Sequence, residues 1–449
     1  MSRYTSATDA DRKAMLDAIG VGSLEALFSE IPAAVRLDRP LDLPAGMAEQ
    51  EVFEHLSQLA ARNRHADDEV SFLGAGMYDH YVPSIIDSIL QRSEFLTPYT
   101  PYQPEISQGG LQVMFEFQTA ISELTGLPVS NASVYEGPSA VAAAGYLAKL
   151  ETKRGKLVAS RGLHPHSRDA LVTHAAGFGM TVEEAALDGE GATDVDALAG
   201  LVDDDTAAVF VQQPNFLGTV EELGALGEAA KRTGALFVVA ADPLPLGILE
   251  PPGSFGADIC VGEGQTLGNR LDFGGPSFGF FAAAERFIRK MPGRIAGETR
   301  DVDGKRGFVL TLQTREQHIR REKATHNICT AQALNALAGV IYLSWLGRRG
   351  LVELGELMLQ RTHYARESLG LEAINPGPVV REFAVQVPDL DSLFERARAE
   401  GINPGYRLGE TYPEYGDGLL VALTERRTKA DIDRLAALVG AGSRTGAPA

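Results

Sequence analysis

The chain has 449 residues, 44% of them hydrophobic and 22% charged, with a formal net charge of −19. That composition suits a soluble globular protein with a sizeable core and excludes a fibrous or disordered chain. Its acidic excess repels phosphate backbones and anionic lipids, which excludes nucleic acid and membrane surfaces as main ligands.

The first residues, Met1 to Lys13, are polar and acidic, without the pattern of a signal or transit peptide. No apolar run approaches the ~18 residues that span a bilayer. Cys260 and Cys329 cannot build a disulfide framework, so a cytoplasmic setting is expected. Residues 1–70 alternate helical stretches with prolines. Ser23 is expected to cap a short amphipathic helix from Leu24, and Pro32, Pro40 and Pro44 prevent a long one. This segment reads as an arm lying over its own large domain or a partner, or as a plain packing segment.

Residues 71–349 read as a large α/β domain. Short apolar runs at Leu157–Ala159, Ala207–Val211, Leu236–Ala240, Ile259–Val261 and Phe278–Phe281 imply strands buried on both faces of a mostly parallel sheet. Between two of them, Leu223 to Thr233 has helical spacing and stops at Gly234, which supplies a crossover. Residues 350–440 read as a small α+β domain, with strands at Glu382–Val387 and Leu419–Leu423 and helices at Leu390–Glu400 and Lys429–Val439. Residues 441–449 read as a flexible tail.

Chemistry-bearing residues are scattered along this frame. His80, and the pair His164 and His166, stand without a third convergent ligand, so no metal site is expected. The stretch Glu94 to Gly110 holds Pro98, Pro101 and Pro104 around Tyr99, Tyr102 and Gln103. A stiff loop with aromatic and amide tips suits insertion into a cleft or an interface, and packing alone is its simpler role. Gly137, Pro138 and Ser139 open the alanine-rich helix Ala140 to Leu150, and such an N-terminus is an anion site or only a well-capped helix end.

Asp242 follows the strand Leu236–Ala240, where open α/β sheets bind ligands. There a carboxylate either keeps a cofactor's pyridine nitrogen protonated or caps the turn before Pro243. Gly262 to Gly268 has one residue too many for a dinucleotide fingerprint. No lysine lies between Lys231 and Lys290, and Gln265 stands where an imine-forming lysine is expected. Arg315 to Lys323 reads as a solvated charged helix face whose arginines could also meet an anionic substrate or subunit.

Taken together, Gly74-Ala75-Gly76, Asp79-His80-Tyr81-Val82-Pro83, Thr97 to Glu105, Asn131-Ala132-Ser133, Gly256-Ala257-Asp258-Ile259, Gly264-Gln265-Thr266-Leu267-Gly268 and Arg315 to Lys323 resemble segments of the glycine dehydrogenase (decarboxylating) P-protein family. The likeness is to the α-type subunit of bacteria that split the enzyme in two, and it covers nearly the whole chain. It implies an α/β fold of the fold type I pyridoxal-phosphate transferase kind, with a large mostly parallel sheet domain and a small C-terminal α+β domain.

It further implies an α2β2 glycine decarboxylase of the glycine cleavage system, inactive as this subunit alone. The β-subunit would hold pyridoxal phosphate, and the complex would decarboxylate glycine and pass the aminomethyl group to the lipoyl arm of H-protein. By the same resemblance Tyr99 and Gln103, with His80 nearby, reach the partner's active site, while Asp242, Gln265, Gly137 and Ser139 are vestiges of a cofactor site. Glu136, where the family pattern suggests aspartate, and Pro138 fit a cup that no longer binds phosphate. Two alternatives stand beside this reading: a non-catalytic scaffold subunit, and a stand-alone pyridoxal-phosphate enzyme, which needs a lysine near Gln265.

Overall fold

Buried apolar runs organise the second of two units into which the chain divides, the first running to Asn63 and the second starting at Arg64. The computed structural model describes residues 6–329 and 331–444. In the second unit seven strands form one sheet in the order Val129–Ser130, Gly279–Ala283, Ile259–Glu263, Leu236–Ala241, Thr206–Gln213, Lys156–Ser160 and Thr181–Ala185. The last five run parallel, and Gly279–Ala283 is antiparallel to both neighbours.

Alternation along these strands explains why both faces are dry. Leu157, Phe210, Val238 and Ile259 pack with Ala140, Ala144 and Leu147 of the helix Gly137–Thr152. Val158, Val209, Phe237 and Val239 face Leu223, Leu226 and Ala230 of the crossover helix Leu223–Lys231. Full burial of each large apolar side chain contributes roughly 1.5–3 kcal/mol. The strand Thr181–Ala185 was not anticipated, because only Ala185 is buried in it and its two glutamates face outward at the sheet edge. The hairpin Ile295–Arg300 with Arg306–Thr311 is a further addition.

A second layer carries the antiparallel strands Glu382–Gln386, Gly418–Ala422 and Tyr406–Arg407. Helices Leu390–Ala399 and Lys429–Arg444 accompany it, and Phe383, Val421, Leu393 and Leu435 share one core. Val70–Ser71 pairs with Ile402–Asn403, and Phe72 lies in that same core. The chain therefore enters the second unit through the small layer, not the large sheet. The helix Ala333–Leu369 joins the layers and breaks at Gly347, whose φ of +58 and ψ of −178 no helix permits. The expected boundary at residue 350 falls just beyond this break. The last helix continues to Arg444, into the expected tail, and residues 445–449 lie outside the described residues.

Among the described residues the first unit holds two α-helices, Asp9–Ile19 and Glu49–Ala60. Thr8 and Asp11 exchange hydrogen bonds as a capping box at the start of the first. The helix expected after Ser23 is a single 3-10 turn, Glu25–Phe28; Ser23 Oγ accepts from Ala26 N at 3.2 Å, and Pro32 follows too soon for more. Leu41, Leu43, Phe53 and Leu56 are exposed in this unit. No helix among the described residues is long and apolar enough to cross a membrane.

Candidate functional site

The parallel strands end on a cavity of 540 Å³, lined among others by Gly137, His164, Asp242, Glu263, Thr266 and Arg381. Asp242 follows the strand Leu236–Ala241 directly, and its carboxylate is ion-paired with Arg381, which precedes the small-layer strand Glu382–Gln386. Arg381 also donates to His80 Nε2 at 2.7 Å. A guanidinium only donates, so Nε2 is the acceptor and the proton sits on Nδ1, which donates to Glu425 at 2.7 Å. Burial holds His80 below the usual imidazole range and so neutral. The Arg381 guanidinium stacks 3.3 Å from the Tyr78 ring centroid, and Tyr78 donates its hydroxyl to Glu382 at 2.7 Å.

The opposite end of the cavity is the N-terminus of the helix Gly137–Thr152. Its first amide, Gly137 N–H, donates to Glu263 at 3.0 Å. Gln265 N–H donates to the same carboxylate at 3.0 Å, and the Ser277 hydroxyl donates to it as well. The protein's own carboxylate thus fills the place where such a helix end would take an anion. Gly137 is suited to this approach, since a Cβ there would lie 3.1 Å from Glu263 N. Ser139 is spent on Glu136, donating to its carbonyl at 3.0 Å and accepting from its amide at 3.3 Å. Gln265 is 1% exposed, and its side-chain amide clasps the Tyr78 backbone at 2.9 and 3.1 Å and the Asn269 carbonyl at 2.8 Å. His164 bonds the Ala75 carbonyl at 3.0 Å and accepts from His166 N at 3.1 Å. Burial lowers its pKa to about 4.

The Tyr99 loop does not line the cavity. Tyr99 is 69% exposed, and its hydroxyl lies 2.9 Å from Cys329 Sγ. Cys329 N donates to the hydroxyl of Tyr135, which does line the cavity, so the loop is linked to the cavity wall through Cys329. Gln103 is exposed and precedes the turn Pro104–Ile106. Gln108 anchors the end of the loop to the hairpin through both backbone groups of Phe308, at 2.8 and 2.9 Å. Tyr102 takes a hydrogen bond from buried Arg294 at 2.5 Å, and Arg294 is ion-paired with buried Glu316 at 3.2 Å. The solvated face expected at Arg315 to Lys323 is therefore corrected at its start. Arg315 and Glu316 are buried, and Arg315 donates to the carbonyls of Met291 at 2.5 Å and Gly293 at 3.0 Å. Arg381, Glu263, Glu425 and Arg294 were not singled out in the sequence, because each acts through partners remote along the chain.

A largely parallel sheet with a ligand cavity at its carboxyl edge, a carboxylate beyond the central strand and a helix N-terminus facing it define the class: a fold type I pyridoxal-phosphate-enzyme-like protein. A NifS-like protein (TM-score 0.62, 13% identity, covering 84% of this chain and all of that one) shares the fold. So does a Burkholderia pseudomallei sphingosine-1-phosphate lyase (TM-score 0.64, 16% identity, covering 92% and 95%). The sequence pattern of the glycine cleavage system P-protein matches residues 2–439, and the chain belongs to that family.

Similar curated proteins are the probable glycine dehydrogenase (decarboxylating) subunit 1 of Halalkalibacterium halodurans, 48% identical over 98% of this chain and 99% of the relative, and that of Carboxydothermus hydrogenoformans, 49% identical over 98% and 99%. A crystal structure of glycine decarboxylase (P-protein) of the glycine cleavage system, in inhibitor-bound form, superposes with a TM-score of 0.87 at 42% identity, covering 98% of this chain and 99% of that one.

The residues present do not fit pyridoxal phosphate in this chain's cavity. Among the described residues no lysine lines it, Glu263 occupies the helix amide a phosphate would need, and Asp242 already has a cationic partner in Arg381.

Proposed function

We propose that this chain is the cofactor-free subunit of a two-subunit glycine decarboxylase of the glycine cleavage system. Its β-type partner carries pyridoxal phosphate on a lysine, in an α2β2 assembly in the cytoplasm. The partner's cofactor supplies the electron sink that makes decarboxylation of glycine accessible, and the aminomethyl group passes to the lipoyl arm of H-protein. The observation that carries this reading is the Glu263 carboxylate seated on Gly137 N–H. A chain that has built its own anion into the phosphate position has no use for the cofactor there.

This subunit's share is structural support and one loop. Tyr99 and Gln103 lie at the tip of a segment held by Gln108 and are exposed, as groups reaching a partner's site must be. His80 has both ring nitrogens engaged, so it acts as a positioning residue for Arg381. Reconstitution tests the reading. This chain alone should not exchange labelled bicarbonate into the glycine carboxyl group, and adding the partner and H-protein should restore exchange. Exchange by the isolated chain would overturn it. The scaffold alternative differs only in leaving the Tyr99 loop idle.

A further inference from the structure

The loop that carries Tyr99 and Gln103 is fastened at two points, and both fastenings come from the hairpin Ile295–Arg300 with Arg306–Thr311 or from the residue before it. Gln108 holds the loop's end to Phe308 in the second strand. Arg294, directly before the first strand, holds the loop near its tip. Its guanidinium lies 5.1 Å from the Tyr102 ring centroid and donates to the Tyr102 hydroxyl at 2.5 Å. The same guanidinium donates to the Ile328 carbonyl at 3.2 Å. Ile328 precedes Cys329, whose sulfur lies 2.9 Å from the Tyr99 hydroxyl. One side chain therefore touches both segments that meet at Tyr99.

Arg294 is itself fixed. It is buried and ion-paired at 3.2 Å with buried Glu316. Its carbonyl accepts from Ala132 N–H at 2.8 Å, and Asn131 donates to the Pro292 carbonyl at 3.0 Å, which pins the turn before it. Gly293 in that turn has a φ of +74, and a Cβ there would lie 2.8 Å from Asn131 Nδ2. Tyr102, by contrast, is exposed, with the His318 ring edge-on at 5.4 Å. Desolvating a buried ion pair costs about as much as its attraction returns, so this pair adds little net stability. What it supplies is a cation at a fixed place beneath an exposed tyrosine. We propose that Arg294, held by Glu316, is a positioning residue: through Tyr102 and Ile328 it fixes the loop in the conformation in which Tyr99 meets the partner's reacting groups. Such fixing matters for rate, since a group misplaced by about 1 Å costs on the order of 100-fold.

The inference rests on the reading that the Tyr99 loop serves the partner's site, and the experiment separates the two. Tyr102→Phe keeps a ring on the guanidinium and removes only the hydrogen bond. In the assembled complex, hydrogen-deuterium exchange of the peptide from Tyr99 to Gln103 should speed up about 10-fold or more, the loss of one hydrogen bond to a charged group. Bicarbonate exchange should fall about 10-fold as well. Tyr102→Phe combined with Tyr99→Phe should be little slower than Tyr99→Phe alone, because the clamp acts through Tyr99, whereas a merely structural residue would add its full effect. Arg294→Lys keeps the charge beside Glu316 but cannot reach all three partners, and it should repeat these results. Unchanged deuterium uptake in Tyr102→Phe overturns the proposal. So do fully additive losses in the double variant, or wild-type bicarbonate exchange by Tyr102→Phe where Tyr99→Phe is impaired. Wild-type bicarbonate exchange by Tyr99→Phe overturns the reading of the loop itself, and this inference with it.

Discussion

His80 and His164 show how little a residue's type says about its role until its partners are known. Both lie near the cavity, both are neutral by burial, and both spend their ring nitrogens on the protein. For His164 the sign of the pH effect is fixed. The unfolded chain takes up a proton below the ordinary value of 6.5, while the folded chain does not until about 4. His164 therefore lowers stability as pH falls through that window. His164→Gln keeps a donor for the Ala75 carbonyl and removes the titration. Its stability should fall less steeply between pH 6.5 and about 4, by roughly 1.4 kcal/mol per pH unit, as read from denaturant midpoints along a pH series. Parallel pH profiles for the two proteins would contradict this. Asp242 was legible in the sequence because its place after a buried strand is a local fact. Its partner Arg381 was not, and neither was the bond from Arg381 to His80, 301 residues away along the chain, because no local pattern encodes such a pairing.

At the scale of elements, the apolar strands and the helix Leu223–Lys231 were legible because burial on both faces leaves continuous runs and a crossover leaves a helical period. The edge strand Thr181–Ala185 was not, since only Ala185 of it is buried, whereas the helical stretches expected among the prolines of residues 1–70 are present as Asp9–Ile19 and Glu49–Ala60. The break at Gly347 has a φ of +58, and a Cβ placed there would meet nothing within 4 Å, so backbone strain alone decides a substitution. Gly347→Ala should destabilise by about 1–3 kcal/mol, seen as a lower urea midpoint; an unchanged midpoint would mean the two helical halves can realign freely. The Tyr99 loop carries the test of an active subunit against a scaffold. Pro98, Pro101 and Pro104 limit the ordering the loop must undergo. Tyr99→Phe removes a polar group that, on the proposed reading, meets charged groups in the partner's site. Bicarbonate exchange by the assembled complex should fall roughly 10- to 100-fold with assembly intact. Wild-type exchange would favour the scaffold.

Across the whole molecule, the fold is that of the fold type I pyridoxal-phosphate enzymes, and the cavity at the strand ends is lined by groups that the protein itself pairs. Gln265 holds the Tyr78 backbone, Glu263 holds the helix amide and Arg381 holds Asp242. Glu263 and Arg381 thereby meet two groups, the helix amide and the Asp242 carboxylate, that a cofactor's phosphate and ring nitrogen would otherwise meet. That Gln265 stands where an imine-forming lysine is expected was readable in the sequence, whereas the Glu263 carboxylate on the helix amide and the Arg381 partner of Asp242 needed the fold to be seen. The central claim is that the cofactor's imine belongs to the partner and not to this chain. Borohydride reduction of the complex loaded with pyridoxal phosphate, followed by peptide mass spectrometry of both subunits, tests it most directly. The account predicts one reduced adduct on a partner lysine and no stoichiometric adduct on any lysine of this chain. A stoichiometric, site-specific adduct on this chain that supports glycine decarboxylation would contradict it.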